Sequence, residues 1–175
     1  QGALEALPGL SLRRTRKGAL LVTLPGPEAE PVRALTAHVD TLGAMVKSIK
    51  PNGRLALTAI GGFAWGSVEG EGCTVFTHSG ATVRGSLLPN HASVHVYTDV
   101  KDAKRDAENM EVRLDARTAS VEETRGLGIE VGDFVAFDPR VECTNGFVRS
   151  RHLDDKACAA VLVAALQALQ SAGQQ

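Results

Sequence analysis

The stretch that decides the architecture is Val32-Arg33-Ala34-Leu35-Thr36-Ala37-His38-Val39-Asp40. It is short, mostly small and apolar, and turns polar at its end. That pattern predicts a buried strand of an α/β sheet. Side chains two apart on a strand point the same way, so His38 and Asp40 share a face at its C-terminal end. Open α/β sheets place their ligands there. One imidazole nitrogen of His38 could bind a metal while Asp40 accepts from the other, which fixes the tautomer and raises ligand basicity. Taken alone, a His-x-Asp pair at a strand end can equally be solvated or cap a turn.

Upstream, Leu10-Ser11-Leu12 and Ala19-Leu20-Leu21-Val22-Thr23-Leu24 flank a basic turn containing Gly18 and predict a hairpin. Residues 25–31 hold three prolines and a glycine and read as a loop. Downstream of Gly43 the character changes to short alternating runs between turn signals. Met45-Val46-Lys47-Ser48-Ile49, Arg54-Leu55-Ala56-Leu57-Thr58, Thr74-Val75-Phe76-Thr77 and Thr82-Val83-Arg84-Gly85-Ser86-Leu87 come first. Ser93-Val94-His95-Val96-Tyr97, Glu111-Val112-Arg113-Leu114, Phe134-Val135-Ala136-Phe137 and Phe147-Val148-Arg149-Ser150 follow. Asn52-Gly53 and Ser79-Gly80 stand where tight hairpin turns belong. This spacing predicts a small β-barrel or sandwich. One short helix interrupts it, with Ser120 as N-cap and Glu123 completing a capping box.

From Asp154 to about Gln170 the chain predicts a helix that is apolar on most of its surface, including Cys158 in the run 157–160, where a buried thiol is expected. Asp154-Asp155 open it. Aspartate is a good N-cap and suits the positive end of a helix dipole, while a metal reading needs a carboxylate able to bridge two ions. The sequence therefore divides into a discontinuous α/β domain, residues 1–42 and 151–175, and a β-rich insert, residues 43–150. The two His/Asp clusters fall at both boundaries of that insert, and a compact insert leaves and returns at nearby points.

Composition narrows the function classes. Nineteen basic residues against twenty acidic ones, a formal net charge of −1, give no electrostatic reason to expect nucleic acid or an anionic membrane. No apolar run reaches the roughly 20 residues of a membrane helix. The chain opens on Gln1 without a signal peptide, and a trimmed or incomplete start is expected. Three separated cysteines form no C-x-x-C pair and point to reduced thiols in a cytoplasm. Of the remaining histidines, His78 stands in a turn, His91 and His95 suit a surface or interface rather than a metal, and His152, just before the aspartate pair, could approach the site. Paired-carboxylate sugar hydrolysis needs two carboxylates flanking a groove, which two adjacent aspartates do not provide.

Several motifs in order carry a resemblance. Thr36-Ala37-His38-Val39-Asp40-Thr41-Leu42-Gly43 is similar to the A-H-x-D-x-x-G opening of the glutamyl-aminopeptidase and tetrahedral-aminopeptidase family. Ile60-Gly61-Gly62, then Gly128-Ile129-Glu130-Val131-Gly132-Asp133-Phe134-Val135 and Phe137-Asp138-Pro139-Arg140, resemble its internal landmarks. Arg149-Ser150-Arg151-His152-Leu153-Asp154-Asp155-Lys156-Ala157 resembles its D-D-[KR] metal motif at a helix start.

The resemblance implies a phosphorylase/hydrolase-like α/β domain, here incomplete, with an inserted β-barrel used in oligomerisation. It implies a cytoplasmic exopeptidase acting on peptides with two divalent metal ions, zinc or cobalt, assembled as homo-oligomers from dimers to dodecamers. Carried over, His38 would bind one metal, Asp154 would bridge both, Asp40 would support His38, and Asp154–Asp155 would be joined by a cis peptide. The family's later Glu-Glu pair, Asp and final His, including the general base, have no counterpart before Gln175. Inactivity of this chain by itself is therefore expected, and two other readings stay open: an oligomerisation or interaction module, and a related deacylase or carboxypeptidase-like amidohydrolase.

Overall fold

The computed structural model describes residues 1–26 and 33–172 and divides the chain into two compact units. One comprises Gln1–Asp40 with His152–Gln175, the other Thr41–Arg151.

In the first unit a single helical turn, α1 (Gly2–Glu5), precedes the hairpin of β1 (Ser11–Arg14) and β2 (Leu20–Thr23), paired from Ser11↔Thr23 to Arg14↔Leu20. Residue 32 of the expected strand lies outside the described residues, and residues 33–40 adopt no regular structure. The reason is physical: a strand is defined by its neighbours. Among the described residues none pairs with this segment, and Leu35 and Val39 are exposed.

The second unit is a barrel, and its sequence shows why. Six strands alternate apolar and polar residues, so closing the sheet on itself buries one side chain in two. They are β3 (Gly43–Ile49), β4 (Leu55–Ile60), β5 (Gly72–Phe76), β6 (Thr82–Pro89), β7 (Met110–Leu114) and β8 (Phe134–Phe137). Their order around the closed barrel is β3-β4-β7-β6-β5-β8, and all neighbours run antiparallel. A register shift between Val46 and Ser48 bends β3. Inside lie Val46, Leu55, Leu57, Cys73, Val75, Leu87, Met110 and Val112, all fully buried. Each large aliphatic side chain so buried contributes roughly 1.5–3 kcal/mol. Burial pushes the Cys73 thiol up to about 12.

Helix α2 (Val121–Gly126) follows the expected capping box: Ser120 Oγ accepts from the Glu123 N–H at 3.2 Å, and the Glu123 carboxylate accepts from the Ala119 N–H at 2.6 Å. The buried Thr124 hydroxyl donates to the Gly53 carbonyl at 2.8 Å. Gly53 has φ +78°, and a Cβ there would meet Thr124 Oγ1 at 3.0 Å, so the Asn52-Gly53 turn needs its glycine twice over. Gly61 is similarly placed, with φ +78° and a notional Cβ 2.5 Å from the Leu42 side chain.

Two buried carboxylates brace the barrel. Glu111 is held by Lys50 at 2.7 Å and by Arg54. Glu71 is held by Arg151 at 2.9 Å and by Arg140. The unit ends in a two-stranded hairpin, β9 (Glu142–Thr144) and β10 (Phe147–Arg149).

The run Ser93–Tyr97 is not a strand. Its alternation is real, but Val94 and Val96 are exposed, and its backbone turns back through Val96 and Tyr97 N–H bonds to the Ser93 carbonyl. Alternation without a sheet edge to join does not make a strand.

The chain closes on α3 (Lys156–Ser171), in the first unit. No residue of α3 is buried, so Cys158 is exposed rather than enclosed. Its neighbours in the described residues do not cover its face. No helix of the described residues is long and apolar enough to cross a membrane.

Candidate metal centre

All four expected site residues belong to the first unit, and they meet there. The imidazole of His38 lies between two carboxylates: Nδ1 is 3.3 Å from Asp40 Oδ1, and Nε2 is 3.3 Å from Asp154 Oδ1. The i, i+2 spacing of His38 and Asp40 puts both on one side even though the segment is not in a sheet. On the opposite piece, Asp154 and Asp155 are joined by a cis peptide bond and stand immediately before α3. The Asp155 carboxylate turns back to accept the His38 backbone N–H at 3.3 Å, across 117 positions of sequence.

Asp155 has a further partner that the sequence reading missed. The Cys158 thiol donates to its carboxylate, and this hydrogen bond, together with the His38 N–H, holds the Asp155 carboxyl below the usual carboxylate range against an opposing desolvation. The same contact raises the Cys158 thiol, since a thiolate beside Asp155 would face a like charge. The signal was present as spacing: residues three apart at the start of a helix are neighbours. It was obscured because Cys158 also fits an apolar run.

The site is open. The side chains of His38, Asp40 and Asp154 are 54%, 89% and 95% exposed. Exposed carboxylates cost little desolvation and leave lone pairs free, so Asp154 can accept a cation as readily as a proton donor. The distances allow a direct test of fit. Two ligands at about 2.0–2.1 Å on a tetrahedral ion stand about 3.4 Å apart. The 3.3 Å between His38 Nε2 and Asp154 Oδ1 matches one edge of such a shell. Nitrogen and oxygen donors suit zinc-type ions, and Asp40 on Nδ1 leaves Nε2 as the free lone pair. Among the described residues no group of three or more His, Cys, Asp or Glu side chains converges in the manner of a metal site. The pair would by itself supply only part of such a shell.

Comparison with known proteins places the chain in a family. The chain is 54% identical over 159 residues to YhfE of Bacillus subtilis (strain 168), covering 90% of this chain and 46% of that one. It is 26% identical over 138 residues to the lysyl aminopeptidase of Pyrococcus furiosus, covering 77% and 38%. Its fold superimposes on the Pyrococcus horikoshii TET1 peptidase with a TM-score of 0.74 at 24% identity, covering 94% of this chain and 48% of that one. The chain thus spans less than half the length of the relatives it matches. The family model for M42 glutamyl aminopeptidase matches residues 18–175. The chain belongs to the M42 glutamyl aminopeptidase family.

Proposed function

We propose that this chain works as part of a metal-dependent aminopeptidase that removes the N-terminal residue from peptides, with His38 and Asp154 among its metal ligands. The observation that carries the reading is the 3.3 Å approach of His38 Nε2 to Asp154 Oδ1, two donors brought together from distant parts of the sequence. Family membership and the aminopeptidase names of relatives support the peptide substrate.

The roles follow from the contacts. Asp40 Oδ1, 3.3 Å from His38 Nδ1, would favour the tautomer that presents Nε2 as a neutral donor. Asp154 would hold metal together with His38 through its exposed carboxylate, whose Oδ1 lies 3.3 Å from His38 Nε2. Asp155 accepts the His38 N–H and the Cys158 thiol, and so ties the His38 segment to the first turn of α3. When bound, a pair of divalent ions, zinc or cobalt, lowers the pKa of water and polarises a peptide carbonyl. Two shells take about six to eight protein ligands, so most of them lie outside these four residues, as does the general base.

A free α-amine on the substrate distinguishes this activity from deacylation or carboxypeptidase-like chemistry. Hydrolysis of leucyl p-nitroanilide and of its N-acetyl derivative by the metal-loaded full-length enzyme of which this chain would be part tests it. Cleavage of the free amine alone is expected; cleavage restricted to the acetylated compound would replace the aminopeptidase with an amidohydrolase.

A second reading concerns assembly. Phe76 and Phe134 are cross-strand partners on β5 and β8, and both point outward at 47% and 59% exposure. An outward aromatic pair on a closed barrel fits a contact with a second copy of the chain. The TET1 neighbour's description, assembly into a tetrahedron or an octahedral shell, supports a homo-oligomer. Sedimentation of Phe134→Glu, expected to be smaller than the parent, tests the contact.

A further inference from the structure

We propose that the outer wall of the barrel carries a binding site for a phosphate group, formed by Arg54, Arg113 and Arg117. Several observations converge on it. The register Leu55↔Val112 between β4 and β7 sets Arg54 directly opposite Arg113. Both lie on the outward face, because Leu55 and Val112 point into the core. Like charges opposite one another on an antiparallel pair are destabilising; Glu111 offsets Arg54, whereas Arg113 has no such partner among the described residues, and a bound anion would supply one.

Arg117, four residues beyond Arg113, closes the third side of a cavity of about 360 Å³. Its lining includes those three arginines and no acidic residue, in a chain whose overall charge is −1. Arg113 and Arg117 form no ion pair among the described residues.

Two carboxylates near the margin are already engaged. Glu111 is shared by Lys50 and Arg54, and Glu123 accepts the Ala119 N–H. Asp115 lines an adjoining hollow with Arg113 and Arg117. The remaining polar groups of the cavity add donors. Asn52 uses its side-chain oxygen to accept the Arg54 N–H at 3.2 Å, which leaves its amide N–H₂ free, and Thr118 contributes a hydroxyl.

Guanidinium forks match the oxygen spacing of phosphate bidentately, and each charge-assisted bond is roughly twice as strong as a neutral one. The two unpaired forks of Arg113 and Arg117, with the remaining N–H groups of Arg54, the Asn52 amide and the Thr118 hydroxyl, offer more donors than one carboxylate can accept and favour a compact tetrahedral oxyanion. The ligand class is thus a phosphate group, free or carried at the end of a small solute.

Inorganic phosphate titrated into the full chain at constant ionic strength, with chloride as the balancing ion, tests the site through amide resonances. The expected result is a saturable shift confined to Arg113–Thr118 and the Asn52–Arg54 turn, with a midpoint weakened at least about tenfold in the double variant Arg113→Gln/Arg117→Gln. Both side chains are exposed, so the variant should fold, which its spectrum away from the cavity checks. If it does not, Arg117→Gln alone is read in the same way. Shifts that stay linear in phosphate, that chloride reproduces, or that survive in the variant overturn the proposal. Acetate binding with the same midpoint as phosphate overturns the assignment to phosphate.

Discussion

The barrel unit and the unit that carries the candidate ligands use apolar residues differently. In the barrel, Leu55, Leu57, Leu87 and Met110 have no exposed surface, the buried Glu71 and Glu111 have cationic partners, and the buried Asp133 accepts the backbone N–H groups of His78 and Glu130. In the other unit α3 buries none of its residues, and Val161 and Leu169 are 64% and 40% exposed. A closed sheet satisfies its own edges and core, so its strands are specified by short-range alternation alone. A segment such as residues 33–40 acquires a defined partner only from elsewhere. In the described residues that partner is a set of side chains, Asp154 and Asp155, rather than a strand.

The same substitution made in both units breaks or sharpens this contrast. Leu57→Ala removes a fully buried side chain from the barrel and should cost about 3 kcal/mol, within the range for leucine deletions that leave a cavity. A loss under about 1 kcal/mol in denaturant unfolding would mean that the barrel core is not the stabilising element.

Glu71→Gln is expected to come next. Glu71 is 4% exposed and balances Arg140 and Arg151, and the Arg151 side chain is only 19% exposed with Nε unpartnered among the described residues. Removing the charge should cost about 2 kcal/mol, less than a fully buried pair because Arg140 is mostly in solvent. The loss should be largely recovered in Glu71→Gln/Arg151→Met, measured by the same unfolding curve; additive losses would contradict the pairing.

A smaller effect follows from pH. Arg84 donates twice to Asp138, at 2.7 and 2.6 Å, and that hydrogen bonding holds the Asp138 carboxyl below its ordinary 3.8. Because the folded value is depressed, the pair's stabilisation is present above pH 3.8 and is lost as pH falls through the lower, folded value. Both groups are more than a third exposed, so screening keeps the contribution small. Carbon-detected titration should find the Asp138 carboxyl raised in Arg84→Gln; an unchanged value would sever the pair.

Smallest of all is Leu169→Ala on α3, expected to shift stability by about 1 kcal/mol or less in this chain. An effect equal to that of Leu57→Ala would erase the difference between the units.

These contrasts also explain what could be read from the sequence. Ala44/Val46, Leu55/Leu57 and Val135/Phe137 alternate because one barrel face is dry, and that pattern is local. Ser93–Tyr97 alternates too, yet forms turns, since nothing in its own residues states whether a sheet edge is available. The convergence of His38 with Asp154 was legible from motif resemblance and from the positions of both clusters at the ends of the β-rich stretch, not from periodicity. The basic cavity was illegible, because Arg54, Arg113 and Arg117 become neighbours only through the β4–β7 register, and each reads singly as a solvated charge. The Cys158–Asp155 contact was hidden by a cysteine that suits a buried helix face equally well.

The account rests on a divalent ion shared by His38 and Asp154, and cobalt titration of the chain followed by visible absorbance tests it most directly. A d–d band that forms in the parent, is lost in His38→Ala and in Asp154→Asn, and forms with about tenfold weaker affinity in Asp40→Asn is the predicted result. Cobalt binding of equal strength and spectrum in His38→Ala and the parent would contradict it.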